Sequence, residues 1–319
     1  ATARSHVVGI VTGAFAAALP LGAGSAAAHG FAGARFFPAT IATDDPFVAD
    51  ELSLPTLSWQ KNPGDATGAP ATREFDVSVD FARRITANFG IEASATWKTL
   101  RTPGSPTVRG FDNVSLGAKY QVFESDAHEA IVSAGVDWDV GHSGAKRVGA
   151  ESISTVTPTL FFGKGWGDLP HSMAWLRPVA VTGLVGVGIP SRASTTTIAD
   201  DGTVDVERHP HTLQWGIVFE YSIPYLNANV QATGWNDAFN RLIPVVEFAM
   251  STALDRGSSA TTGTVNPGLL WAGRYVQLAA EAAIPVNRAG GSSVGWTLQL
   301  HLFLDDLAPK AFGRPLFGG

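Results

Sequence analysis

The chain has 319 residues, with 22 Lys and Arg against 28 Asp and Glu for a formal net charge of −6. It contains 35 Gly, 18 Phe and 9 Trp, no cysteine, and only 16% charged residues. These values exclude a basic nucleic-acid surface, a disulfide framework and a thiolate metal site, and the charge lies well below the roughly 25% of an ordinary soluble domain.

Residues 1–28 stand apart. Arg4 precedes a nearly apolar stretch over residues 7–19, followed by Pro20, Gly22, Gly24 and the small-residue run Ala26, Ala27, Ala28. This pattern predicts a secretory signal cleaved before His29. The stretch is too short to span a bilayer as a helix, which takes about 20 residues. Loss of this segment removes only Arg4 from the charge count, leaving −7.

Residues 29–51 (HGFAGARFFPATIATDDPFVADE) lack strand alternation and carry Phe31, Phe36, Phe37 and Phe47, with Asp44, Asp45, Asp50 and Glu51 toward the end. Aromatic side chains need burial, and this density argues against a disordered leader. The segment is expected to plug the lumen of the barrel that follows or to cap its periplasmic mouth. His29, at the expected mature start, would join an α-amine to an imidazole. That nitrogen pair suits square-planar copper and makes His29 the metal candidate.

From residue 52 onward the chain alternates. Phe75, Val77, Val79 and Phe81 interleave with Asp76, Ser78 and Asp80. Ile91, Ala93, Ala95 and Trp97 do so with Glu92, Ser94, Thr96 and Lys98, and Trp296, Leu298, Leu300 and Leu302 with Thr297, Gln299 and His301. A period of two gives each strand one apolar and one polar face. Twelve such segments are predicted, at 52–60, 73–83, 87–99, 112–123, 129–140, 151–163, 174–187, 211–223, 240–252, 263–272, 274–285 and 295–305. Connections after the odd segments are mostly long and several after the even ones short. The reading is an all-β fold: a transmembrane, up-and-down antiparallel β-barrel over 52–305, with a tail at 306–319, in the outer membrane of a Gram-negative bacterium.

Two connections, 164–173 and 224–239, are long on the short side, and a hairpin in 225–233 (YLNANVQAT) would raise the count to fourteen. The seventh and tenth segments lack a clean polar face. In the seventh, Trp175, Val179 and Val181 lie on one side and Leu176, Ala180 and Leu184 on the other, as expected where a strand packs on an internal segment. Elsewhere a Lys or Arg on the lipid face costs about 2–4 kcal/mol at midplane, and Asp or Glu less. Glu92, Lys98, Lys119, Asp137, Asp139, Glu220, Glu247, Glu281 and His301 are therefore assigned to the lumen. Trp59, Trp97, Tyr120, Trp138 and Trp271 are assigned to interfacial girdles.

Few residues suggest chemistry. His209, Pro210 and His211 offer a surface metal contact, against the alternative of solvated loop histidines. His142 and Ser143, within Gly-His-Ser-Gly, invite comparison with a barrel phospholipase, but adjacent residues point different ways and cannot form a Ser–His pair easily. No enzyme activity and no cofactor is assigned.

Longer stretches carry a resemblance: residues 29–56, YSIPYL (221–226), RLIPVVEF (241–248), TTGTVNPGLLWAGRY (261–275), IPVNR (284–288) and HLFLDDLAPKAFGRPLF (301–317). Together they resemble a group of bacterial outer-membrane proteins related to the family named for the meta-cleavage pathway of phenol degradation. The resemblance implies a barrel with a part in moving hydrophobic compounds or metals across the outer membrane, and gives no catalytic residues. The chain departs from common barrels in its tail, which follows the last strand instead of ending on it.

The expected function is an outer-membrane channel or passive transporter for small solutes. The alternative is a structural or partner-binding barrel with a blocked lumen. Expected partners are outer-membrane lipid, a small-molecule solute and a periplasmic or membrane protein, with no nucleic acid. The first expectation is directly measurable: N-terminal sequencing of outer-membrane material should begin at His29, and a start several residues away would remove the basis for metal chemistry there.

Overall fold

The computed structural model describes residues 30–64, 70–198, 202, 204–255 and 261–317. Residues 1–28, where the signal is expected, and His29 lie outside them. Twelve strands build the wall: β1 (Glu51–Asn62), β2 (Thr72–Arg84), β3 (Phe89–Arg101), β4 (Ser115–Ser125), β5 (Ala130–Asp139), β6 (Thr155–Gly165), β7 (Val179–Pro190), β8 (Thr212–Tyr221), β9 (Leu242–Ala253), β10 (Thr262–Ala272), β11 (Val276–Pro285) and β12 (Gly295–Phe303). Each pairs antiparallel with its neighbour, and β12 returns to β1 through pairs such as Trp296↔Trp59 and Leu302↔Leu52. The barrel is closed, with the short strand Val108–Phe111 covering the long-loop part of β3, so the sheet closes on itself.

Several sequence expectations are corrected. The chain at 225–233 forms helical turns, Ile223–Tyr225 and Leu226–Val230, and not a hairpin, so twelve strands stand. Trp175 and Leu176 belong to the 3-10 helix His171–Leu176, and the seventh strand starts at Val179. The fourth and sixth strands begin later than predicted, at Ser115 and Thr155. The twelfth ends at Phe303, with Asp305 already in a helical turn. At the long-loop end, Ser194–Ile198 and Val204–Arg208 form a separate small hairpin between β7 and β8.

The period of two sorts the side chains. Leu116 and Tyr120 of β4, Val132, Val136 and Trp138 of β5, and Val156, Leu160 and Phe162 of β6 are exposed on the outer face. Lys119, Ser133, Thr157, Thr159 and Phe161, on the opposite parity of the same strands, are buried. Across β2 and β3, Val77 faces Trp97 and Phe81 faces Ala93 outside, while Asp76 faces Lys98 inside. A slip of one residue would turn these charges outward. Trp59, Trp97, Trp138 and Trp296 sit near the long-loop ends of their strands, and Tyr120 and Trp271 toward the short-turn ends.

The tail folds back on the short-turn end. Turns Leu304–Leu307 and Pro309–Phe312 place carbonyl groups of Ala311 and Phe312 within reach of Arg83 Nη2 (3.0 Å) and Arg84 Nη2 (3.3 Å). Arg83 lies 4.7 Å over the Phe312 ring. Phe317 N then donates to Ile85 O at 2.8 Å. A closed wall of this kind resists detergent unfolding until heated, so unboiled and boiled samples should migrate differently in denaturing gels. Identical mobility together with extraction by salt alone would contradict a membrane barrel.

Candidate functional site: the leader inside the lumen

Residues 30–50 do not join the wall. A small hairpin, Phe31–Ala32 with Arg35–Phe36, lies at the short-turn end, where Gly33 N donates to Asp126 Oδ1 at 3.0 Å. Arg35 is fully buried there. Its Nε meets Glu129 Oε2 at 3.2 Å, Nη1 donates to Pro178 O at 2.9 Å, Nη2 donates to Arg177 O, and the guanidinium stacks 3.8 Å from the Tyr225 ring centroid. Burial, then the Glu129 carboxylate, pushes the Tyr225 hydroxyl up to about 12, so the phenol stays neutral beside the arginine.

From Phe37 the chain climbs into the barrel. Phe37 and Phe47 pack with Ala32, Ile131 and Ala180, while Phe36 and Ile41 pack on Val218, Ile243, Val245, Leu270 and Ala279. The inner faces of β5 and β7 thus meet one side of the leader, and those of β8 to β11 the other. At the top of the climb, the amides of Ile41, Ala42 and Thr43 all donate to the Glu247 carboxylate, at 2.9, 3.0 and 2.8 Å. Glu247 lies five residues along β9 from the short-turn end. A Cβ on Gly216 of β8 would stand 2.5 Å from Thr43 Cγ2, so glycine there makes room for the turn.

The leader then crosses to the opposite wall and descends. Lys119 Nζ bonds Asp44 Oδ2 at 2.7 Å and Asp45 O at 2.9 Å, reaches Glu92 Oε1 at 3.3 Å, and lies 4.6 Å over the Phe161 ring. Ser133 Oγ donates to Pro46 O, and Gln277 Nε2 donates to Ala39 O at 2.6 Å. Burial, reinforced by Glu51 and opposed by Lys119, pushes the Asp45 carboxyl well above the usual carboxylate range. A carboxyl raised in this way makes the seat weaken as pH rises from the ordinary carboxylate value through the raised one. Asp50 closes the excursion at the short-turn end, fully buried, with Arg83 Nη1 at 2.8 Å and Arg84 Nε at 2.7 Å.

Above and beside the leader lies a cavity of about 520 Å³. Its wall is acidic on the side of β2 to β5, where Asp80, Glu92 and Asp137 face it with Lys119. Nearer the long-loop end, Lys98 pairs with Glu74 at 3.2 Å and Asp112 at 2.8 Å. The other side offers Thr159, Leu184, Gln214 and Gln299.

All nine residues assigned to the lumen lie on the inner parity of their strands. The structure brings Glu92, Lys119 and Asp137 together with Asp44, and Glu247 with Glu281, which Asn266 also contacts at 3.4 Å. Glu220 is buried between Arg35 and Glu247. His301 stands apart against Ser53 (2.9 Å) and Glu51 (3.3 Å), and Lys98 and Asp139 sit higher. Of the leader residues, Phe31 is 45% exposed at the mouth, outside the lumen. Sequence reasoning missed Arg35, Glu129, Tyr225, Arg83 and Arg84, whose partners are distant in sequence. Ser143 Oγ is committed to Val140 O at 2.6 Å, and His142 occupies a left-handed turn position.

No family model and no curated protein matches the chain, and neither comparison links it to the phenol meta-cleavage family. Among solved structures it is similar to an outer membrane channel from Pseudomonas putida F1, with TM-score 0.49 and 11% identity over 82% of this chain and 97% of that one. It is also similar to the β domain of a Bordetella autotransporter (TM-score 0.46, 12% identity, 80% and 98% covered). A third is the translocator domain of the autotransporter NalP from Neisseria meningitidis (TM-score 0.44, 9% identity, 79% and 88% covered).

The absence of cysteine makes the leader's seat measurable. Hydrogen bonds to a charged acceptor are worth about 1.5–3 kcal/mol each, so removing the Glu247 carboxylate should unseat the turn. A single cysteine at Ala42 should react with a thiol reagent at least about tenfold faster in a Glu247→Ala background than with Glu247 intact. Equal rates would show that the carboxylate does not hold the leader.

Proposed function

We propose that the protein is an outer-membrane channel for small cationic solutes, with the leader as an internal plug. The observation that carries this reading is the leader's course. It fills the short-turn half of the lumen through side-chain and carboxylate contacts while contributing nothing to the ladder of the wall, and it borders a polar cavity. An acidic aqueous lumen with low-dielectric walls concentrates cations and repels anions. The lipid-facing belt, the aromatic residues near both strand ends and the signal-like start support the outer-membrane location.

Both ends of the plug are tied at the mouth, at Arg35 and at Asp50, and the intervening residues form a loop. Withdrawal of that loop would leave both ties and the wall intact. Twelve strands lie between eight-stranded barrels, filled by side chains, and those of about sixteen, which hold water channels. The full-length protein should accordingly conduct weakly in planar bilayers. Replacing residues 38–48 with a Gly-Ser segment of equal length should leave assembly intact, raise conductance several-fold and give a cation-selective reversal potential. Asp80→Asn with Asp137→Asn in that background should reduce the selectivity. An assembled replacement barrel with unchanged conductance would exclude the plug and favour a blocked barrel whose loops act on partners; anion selectivity would exclude the cationic solute.

A further inference from the structure

The histidines at 209 and 211 lie far from the leader, at the long-loop end, and the structure separates them. His211 turns to Asp255, with Nδ1 3.3 Å from the carboxylate and the backbone amide donating at 2.8 Å. His209 turns inward. Its side chain is 7% exposed, and its Nδ1 faces Glu151 Oε2 at 3.8 Å. Glu207, two residues earlier on the Val204–Arg208 strand of the small hairpin, completes a group whose ligand atoms all lie within 4.8 Å of one another.

We propose that Glu151, Glu207 and His209 bind one first-row divalent transition-metal cation of the Zn²⁺ type, joining the loop between β5 and β6 to the hairpin between β7 and β8. The 3.8 Å separation of Nδ1 from the Glu151 oxygen is too long for a hydrogen bond. Two metal bonds of about 2.1 Å meeting at a tetrahedral angle set their donor atoms about 3.4 Å apart, so a cation between them requires only a small closure.

The imidazole is held for this role by its other nitrogen. Nε2 lies 3.0 Å from Thr195 Oγ1 on the facing hairpin strand. The tautomer with its proton on Nε2 donates to that hydroxyl and leaves Nδ1 as a lone pair aimed at the carboxylates, the outer-shell arrangement common to metal-bound histidine. The backbone is tied independently. His209 N donates to Ala193 O at 2.9 Å, and the Glu151 carbonyl accepts from His142 N (3.1 Å) and Asn113 Nδ2 (2.9 Å). Ser191 N to Ser154 O (2.7 Å) and Ser154 N to Ser191 Oγ (3.1 Å) join the two loops directly.

The donor set selects the ion class. One imidazole and two carboxylates neutralise a dication and suit Zn²⁺ and its neighbours, whereas Ca²⁺ and Mg²⁺ favour oxygen-only shells with more ligands. Three protein ligands leave a fourth position for water or a solute group. The site is separate from the lumen, so its test is independent of channel activity.

The test uses full-length protein in detergent, stripped with chelator, shown to be assembled by its heat-dependent gel mobility, and titrated calorimetrically with Zn²⁺ alone. One equivalent should be lost, or weakened by at least tenfold, in His209→Gln and in Glu207→Gln. Thr195→Val keeps all three ligands and should weaken binding about 10–100-fold. Zn²⁺ should also slow proteolysis within the hairpin, and a large excess of Ca²⁺ should not displace it. Absence of Zn²⁺ binding by the parent protein, an unchanged His209→Gln titration, or displacement by equimolar Ca²⁺ would overturn the site. An unchanged Thr195→Val affinity would overturn the assignment of Nδ1 as the ligand atom.

Discussion

A backbone that enters a barrel without joining its sheet brings amides and carbonyls that the wall's own ladder cannot satisfy, and leaving them unpaired costs about as much as lost hydrogen bonds. The rest of this structure is organised around that constraint. Three consecutive amides, Ile41 to Thr43, are taken by the single carboxylate of Glu247. The carbonyls of Ala39, Asp45 and Pro46 are taken by Gln277, Lys119 and Ser133. These side chains come from β9, β11, β4 and β5, so the leader is held from around the circumference and not from one wall.

The same requirement divides the inner face by height. Near the short-turn end the inward positions of β5 and β7 to β11 are mainly apolar, with Ile131, Ala180, Val218, Ile243 and Leu270 fully buried against the leader and the polar Glu220 and Gln277 buried among them. Burying a phenylalanine such as Phe37 or Phe47 contributes about 1.5–3 kcal/mol, so this half behaves as a conventional core. Higher up, Asp, Glu, Lys, Gln and Thr dominate the inward positions around the cavity, with Phe161 and Leu184 among them. One set of strands therefore carries a protein interior at one end and a wet lumen at the other.

The sequence made the wall legible and the interior only partly so. Alternation from Phe75 to Phe81 or from Trp296 to Leu302 is a local signal, and a charge on the wrong face is costly enough to pin the register. The mixed faces of the seventh strand were a genuine trace of the leader: Ala180 lies under Phe37 and Phe47. Trp175 and Leu176, by contrast, extended the pattern past the real start of the strand, because an apolar 3-10 turn at an interface reads like two more strand residues. Partners such as Arg35 with Glu129, or Asp50 with Arg84, are separated by 94 and 34 residues and leave no periodic mark. Gly216 likewise gives no clue that it clears space for Thr43. The Glu247 charge could be assigned to the lumen from parity, but not the three amides that meet it.

The anchors also differ in kind along the leader. At the two ends the contacts are buried ion pairs reinforced by backbone carbonyls, Arg35 with Glu129 and the 177–178 carbonyls, and Asp50 with Arg83 and Arg84. Removing one partner of such a pair strands a buried charge and costs about 3–5 kcal/mol. At the tip, Asp44 is half exposed to the cavity and Lys119 divides itself between Asp44 and Glu92. Water entering from the cavity can replace these contacts in part, which it cannot do at the sealed ends. Along the leader, the Asp44 contacts are therefore the ones that water from the cavity can loosen first, while the three amides on Glu247 hold the neighbouring turn as firmly as the ends are held.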